Sequence, residues 1–208
     1  MADQQNFRLR VFFTKSGRCA MLSHLEVARA LERAVRRAGL PYAISQGFSP
    51  HMKIAFGAAL PVGVGGAAEC FDLLMTRYCA PEQVLAALKE ASVPDLMVQR
   101  CAYIGPRDPA ASAAYPVCTY EAVFSVPPTT LDLPASITVI RKKKERELVV
   151  ADFLVGDLRI EDATLTFTLR SGITGSLRAD VLMREVLAAN PASVLKTLTR
   201  VAQVAEAL

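Results

Sequence analysis

The chain has 208 residues, 52% of them hydrophobic and 21% charged, which is ample for one large or two small folded domains and excludes a disordered polar chain. No stretch of about 18 apolar residues is present to span a membrane, and the first ten residues, MADQQNFRLR, lack the apolar core of a secretion signal. A cytoplasmic protein is therefore expected. The net charge of +4 is unevenly placed: residues 1–60 hold nine Lys/Arg against three acids, and the remainder holds fifteen against seventeen. That asymmetry points to an anionic partner for the first part, although a solvated basic helix face has the same composition.

Residues 7–14 (FRLRVFFT) alternate as a strand, with Phe7, Leu9, Val11 and Phe13 on one face and Arg8, Arg10 and Phe12 on the other. A polar turn through Gly17 leads to a helix with both ends written into the sequence. Ser23 and Glu26 form an S-x-x-E capping box, and Gly39 followed by Pro41 stops the helix. Leu25, Ala28, Leu31, Val35 and Ala38 make its apolar face. Arg29, Arg33 and Arg36 share the other side, with Arg37 beside them, and Glu32 to Arg36 is a favourable i, i+4 pair. Residues 42–45 and 52–60 read as strands around a loop that carries Gly47, Phe48, Pro50, His51 and Lys53. Residues 61–66 (PVGVGG) read as a glycine-rich turn, 69–76 as a strand, PEQVLAALKEA from Pro81 as a second helix, and 96–104 as a strand. The order β-α-β-β-α-β is that of a ferredoxin-like split βαβ unit, a four-stranded antiparallel sheet with two helices on one face.

Residues 105–116 (GPRDPAASAAYP) hold three prolines and read as a linker or long loop. Beyond them, strands are expected at 118–126, 136–144, 147–155, 157–160 and 163–171, a helix at 180–189 before Asn190-Pro191, and a last helix at 193–207. The expected fold is thus α+β: a ferredoxin-like basic domain over 1–104, a linker or long loop over 105–117, and a second, more degenerate α+β domain over 118–208.

Few residues point to catalysis. Gly63-Val64-Gly65-Gly66 has neither the Lys-Ser/Thr nor the helix start of a phosphate-binding P-loop and reads as a hairpin turn. Ser16 and Ser23 lack a G-x-S-x-G elbow. The five cysteines (19, 70, 79, 101, 118) are odd in number with no C-x-x-C spacing and read as reduced thiols. His24 and His51 are the two histidines of the chain, and their spacing from Cys19 and Cys70 is not diagnostic of zinc, so no metal and no cofactor are expected. His24 reads as a first-turn residue at a helix N-terminus, where the dipole favours neutral imidazole. His51 reads either as a general acid or base near an RNA phosphate, with Lys53 or His24, or as a hydrogen bonder that shapes its loop.

The basic residues are more informative. A second cluster, Arg141, Lys142, Lys143, Lys144 and Arg146, falls at a strand end with only Glu145 and Glu147 to offset it. Each Lys or Arg can contact a phosphate, and Phe12, Tyr42 and Phe48 can stack on unpaired bases, although core packing explains Phe48 equally well. The candidate RNA-binding set is Arg29, Arg33, Arg36, Arg37, Phe48, His51, Lys53, Arg141, Lys142, Lys143 and Lys144, with no specific DNA contact expected.

Thr14 to Gly17 (TKSG), Ser23 to Leu25 (SHL), Glu32 to Pro41 (ERAVRRAGLP), Gly47 to His51 (GFSPH) and Pro61 to Gly63 (PVG) together resemble the radical-SAM-linked protein family, a bacterial domain of unknown function. The resemblance covers residues 7–75 closely and thins beyond. It departs at Met52, where the family has Pro, and at Glu69-Cys70, where the family has Glu-Tyr. The resemblance implies a partner, a radical-SAM enzyme of the cobalamin-binding type encoded beside or fused to such domains, and a setting in RNA processing. This chain lacks the C-x-x-x-C-x-x-C motif of the enzyme itself. Three functions are expected from these readings: an accessory module presenting tRNA or rRNA to that enzyme, an adaptor that docks on it without RNA contact, or a metal-independent endoribonuclease using His51.

Overall fold

The computed structural model describes residues 6–141, 143–172 and 175–205. The chain is α+β and divides into two compact units, Met1–Tyr115 and Pro116–Leu208. The first unit contains β1 (Phe7–Lys15), a 3-10 turn (Gly17–Met21), α1 (His24–Arg37), β2 (Ile54–Phe56), β3 (Val64–Met75), α2 (Pro81–Ala91), a second 3-10 turn (Pro94–Leu96), β4 (Val98–Ile104) and the one-turn α3 (Ala111–Ala114).

Strand β1 is central in this unit. It pairs antiparallel with β3 on one side (Val11 opposite Phe71) and with β4 on the other (Val11 opposite Cys101), and β2 adds to β3. The order is β4-β1-β3-β2. Leu9, Val11 and Phe13 of β1 and Phe71, Leu73 and Met75 of β3 point to one face. There they pack with Val27, Leu31 and Val35 of α1 and Val84 and Leu88 of α2. Each such side chain contributes roughly 1.5–3 kcal/mol by leaving water.

Helix α1 starts where its cap directs. The Ser23 side chain accepts from the Glu26 amide, and the Glu26 carboxylate accepts from the Ser23 amide at 2.8 Å. Its buried residues are Val27, Ala28, Leu31, Ala34 and Val35, while Leu25, expected on the apolar face, is 58% exposed. Leu25 lies about 120° round the helix from Leu31 at about 100° per residue, outside the buried stripe.

The expected strand at 52–60 is shorter than its hydrophobicity suggests. Only Ile54–Phe56 form a strand, with single bridges from Tyr42 to Met75 and from Ile44 to Met52. The glycine-rich turn ends at Gly63, whose φ is +85°, and Val64 to Gly66 already belong to β3, which therefore starts five residues before the expected Glu69. Residues 94–96 form a 3-10 turn, so β4 begins at Val98 and not at Leu96.

The second face of this sheet carries Arg8, Arg10, Phe12, Cys70 and Asp72. Residues 105–115, expected to begin a linker, close over it. The Arg8 guanidinium donates to the carbonyls of Asp108 (2.8 Å) and Pro109 (2.9 Å), Arg10 donates to Pro109 (2.6 Å), and the Ala111 amide donates to Asp72 (3.0 Å). Ala111 packs with Phe12 and Cys70, and Tyr115 lies against them.

The second unit contains β5 (Val117–Val126), β6 (Ser136–Arg141), β7 (Lys144–Val149), a 3-10 turn (Val150–Asp152), β8 (Leu154–Glu161), β9 (Thr164–Arg170), α4 (Ala179–Ala189) and β10 (Val194–Val204). Strands β10, β5, β9 and β8 are neighbours in that order and antiparallel, and β6 and β7 form a separate hairpin. The expected strand at 136–144 is thus two strands, and the basic cluster falls at the tip between them. The last helix expected at 193–207 is instead β10, which pairs with β5 through Leu198 opposite Ala122 and Arg200 opposite Tyr120. Five of its eleven residues are Val or Thr, which favour strands. Asn190 ends α4 in a hydrogen-bonded clamp. Its side chain accepts from the amides of Thr129 and Thr130 (2.9 and 3.1 Å) and donates to the carbonyls of Thr130 and Val186 (2.9 and 2.8 Å).

Candidate functional site

The basic and aromatic candidates of the first unit lie at its surface. Arg29, Arg33, Arg36 and Arg37 are all exposed on α1. Arg36 makes a loose 3.7 Å contact with Glu32, a surface pair of little energetic weight. Arg33 and Arg37 line a groove against Ala91, Ser92 and Val93 at the end of α2. The 45–51 loop is closed by its backbone: the Ser45 amide donates to the His51 carbonyl (2.8 Å) and the His51 amide to the Ser45 hydroxyl (2.9 Å). Phe48 projects from this loop with its side chain wholly exposed, at 112% of the reference area. Exposure on this scale removes core packing as the account of Phe48.

His51 and Lys53 are exposed as well. The Lys53 amide donates to the Ala43 carbonyl (2.8 Å), and Lys53 lines a shallow groove with Arg8, Ile54 and Asp72. Phe12 is buried, with the Arg100 guanidinium 3.4 Å over its ring and Tyr115 on it at 6.0 Å. Tyr42 packs half-buried against the core. Of the three aromatics considered for base stacking, Phe48 alone presents a free ring face.

In the second unit, Arg141 and Lys144 are directly opposed in the β6–β7 register. Lys143, between them, adopts a left-handed conformation (φ 63°) and is exposed, as are Lys144 and Arg146. Lys142 lies outside the described residues. Like charges at opposed positions and a lysine at positive φ both oppose hairpin formation.

A different set of residues converges at the N-terminal end of α1. Lys15, at the end of β1, is 2% exposed and Glu69 of β3 is 6% exposed. Both line a cleft with Phe13, His24, Val27, Phe56, Gly57, Leu60 and Cys70. The Lys15 ammonium donates to the carbonyls of Val64 (3.1 Å) and Pro61 (3.3 Å), which ties the 61–64 turn to β1. The strand pairing brings Glu69 beside it. Gly66 is the partner of Lys15 across β1 and β3, and the Glu69 side chain folds over Gly66, with its Oε1 2.6 Å from where a Cβ would stand. Only glycine leaves that space. His24 is the first residue of α1, exposed at the cleft mouth, with its ring perpendicular to Phe56 at 5.6 Å.

His24 is thus brought to Lys15 and Glu69, while His51 stays on its loop. The sequence reading passed over Lys15 and Glu69, yet a signal was present. Lys15 follows Leu9, Val11 and Phe13 on the apolar parity of β1, and Glu69 precedes Phe71 and Leu73 on that of β3. A charge on the buried parity of a strand must be paired or functional.

The thiols do not add a site. All five cysteines are free. Burial pushes the Cys19 and Cys101 thiols up, with Asp95 and Glu82 adding to it, so both are held as neutral thiols. Among the described residues there is no group of three or more His, Cys, Asp or Glu side chains placed to hold a metal ion. Among them, too, no helix is long and apolar enough to cross a membrane.

Fold and site together define an α+β protein whose chemistry-bearing groups are an arginine-faced helix, an aromatic-tipped loop and a cleft with two buried opposite charges. The chain belongs to the family described as "Uncharacterized protein conserved in bacteria (DUF2344)", whose profile matches residues 8–178. The match runs from β1 through the first unit to the residue before α4. No curated protein matches the chain.

Proposed function

We propose that this chain is an accessory RNA-binding protein, built on a ferredoxin-like first unit and a degenerate second one, that serves a radical-SAM enzyme in the modification of tRNA or rRNA. The observation that carries the reading is Phe48, an aromatic ring standing wholly in solvent in the same unit as four exposed arginines. Aromatic rings that pay for solvent exposure are suited to stack on unpaired bases, and guanidinium groups to hold the phosphates between them. The mode differs from that of sheet-binding RNA modules, because the sheet face opposite the helices is occupied by residues 105–115. The β6–β7 tip supplies further cations. The radical-SAM partner rests on the motif resemblance of residues 7–75.

The test is a fluorescence titration of the purified chain with tRNA and rRNA fragments across a salt series. Arg33→Glu with Arg36→Glu is expected to weaken binding and lower the salt slope by about one unit per lost contact. Phe48→Ala is expected to weaken binding about tenfold with the slope unchanged, since stacking contributes roughly 1–3 kcal/mol per base. Wild-type affinity in both variants sinks the reading.

A second reading, docking on the radical-SAM enzyme without RNA contact, has its own support. Met21, Leu25 and Val62 are 64%, 58% and 55% exposed, and the Gly63 amide donates to the Ala20 carbonyl (2.9 Å), which holds the Val62 turn to the Met21 turn. Co-purification with the enzyme after nuclease treatment, with no RNA affinity at low salt, favours it. The endoribonuclease alternative is settled in the same assay by comparing RNA integrity with wild type and His51→Ala.

A further inference from the structure

We infer that the cleft at the start of α1 is a pocket for a single unpaired nucleobase, an inference that rests on the RNA-binding reading and names the part of the RNA the first unit takes up. Three properties of the cleft point to this class of ligand. Its floor is a dipole: an ammonium, Lys15, that can only donate, set beside a carboxylate, Glu69, that can only accept at neutral pH. Their formal charges cancel, so the ligand is neutral. A phosphate or a free carboxylate would meet Glu69, and a cation would meet Lys15.

The walls are apolar and partly aromatic, formed by Phe13, Val27, Phe56 and Leu60, with the His24 ring at the mouth. The cleft holds about 340 Å³ of empty space including its open mouth, of which about 20 Å³ admits the centre of a water-sized sphere. It is therefore a slot, and it suits a thin ring entering edge first better than a bulky group. A flat neutral ring with a donor next to an acceptor on one edge is a nucleobase. Its N–H or amino group donates to Glu69, its carbonyl or ring nitrogen accepts from Lys15, and its faces lie against Phe56 and His24. In a duplex that edge is already used in pairing, so the cleft selects unpaired bases.

Two buried charges in an apolar slot are also a poor means of holding a fold. Apolar residues of similar volume generally do that as well or better. A partner that completes their hydrogen bonding gives them a purpose that packing does not.

The chain carries two histidines, which makes the test direct. Proton spectra of the full chain show two imidazole Hε1 signals, with His24 reporting on the cleft and His51 serving as an internal control. The chain is titrated separately with the four ribonucleosides, with ribose 5-phosphate and with N-acetylglycinamide. The expected result is a saturable shift of the His24 signal with at least one nucleoside, no movement of His51, and no shift with ribose 5-phosphate. Glu69→Gln is expected to weaken that nucleoside about tenfold or more, the loss of a charge-assisted hydrogen bond. Ala59→Trp, which fills the mouth without touching either charge, is expected to abolish the shift and keeps the test valid if Glu69→Gln does not fold. An unmoved His24 signal with all four nucleosides overturns the pocket. If RNA still binds in the salt series, the RNA-binding reading survives that result, and if it does not, both fall. An equal shift with N-acetylglycinamide assigns the cleft to peptide amides and overturns the base assignment.

Discussion

Asp72 is 4% exposed and shares its carboxylate among Arg10 (2.7 and 3.0 Å), Arg8 (2.7 Å) and the Ala111 amide (3.0 Å). Burial by itself would push its carboxyl up. The hydrogen bonds from Arg10 and Arg8, the charge of Arg10 and the Ala111 amide outweigh this, and Asp72 titrates below the ordinary carboxylate range. Arg10 is correspondingly raised, chiefly by its hydrogen bond to Asp72, and stays charged at any working pH. A depressed carboxylate contributes stability that is fully present above its unfolded value, near pH 3.9, and is lost as pH falls through the folded value. Asp72→Ala is expected to cost about 3–5 kcal/mol at pH 7, because two buried guanidinium groups lose their counter-charge. Urea melts at pH 7 and pH 3 check both points: the difference between variant and wild type shrinks at pH 3. The network was half legible in the sequence. Arg8 and Arg10 read correctly onto one face of β1, but nothing local said that Asp72, sixty residues on, would stand between them. The same holds for Gly66, which read as part of a turn and is in fact where Glu69 needs room. Gly66→Ala is expected to lower the melting temperature and to push Glu69 out of the cleft, seen as a displaced His24 signal.

Helix α1 was the most legible element because its signals are contiguous. The cap, the stop and the spacing of the arginines all follow from residues within a turn or two of one another. Ser23→Ala is expected to cost about 1 kcal/mol, the usual loss on removing a helix cap, measured by thermal or urea melting. The β6–β7 hairpin is the opposite case. Its five cations read as a strand end, and pairing of Lys144 back onto Arg141 makes them a tip. Lys143 there holds a conformation that asparagine tolerates better. Lys143→Asn is expected to stabilise the chain by up to about 1 kcal/mol while weakening RNA binding by about the contribution of one phosphate contact. Gains in both stability and affinity would detach this tip from RNA binding.

At the scale of the whole chain, each unit has its own buried layer. The layer runs through β1 and β3 in the first unit and through β5 and β9 in the second, where Tyr120 and Phe167 stack at 5.4 Å. Amide hydrogen exchange is expected to be slowest in those four strands, and faster in the 45–51 loop and the β6–β7 tip. By itself, the sequence determined the α+β class, the element order of the first unit, the two faces of β1 and the ends of α1. Each of these depends on periodicity and on caps that act over a few residues. The tertiary structure decided the rest: that residues 194–204 are a strand, that Leu25 is exposed, that 105–115 cover a sheet face, and that Lys15, Glu69 and His24 share a cleft. The physical reason is common to all four. Strand pairing and burial depend on which distant segment arrives alongside, and a segment such as 194–204 has no helix or strand of its own to prefer until Val117–Val126 presents its free amides and carbonyls to it.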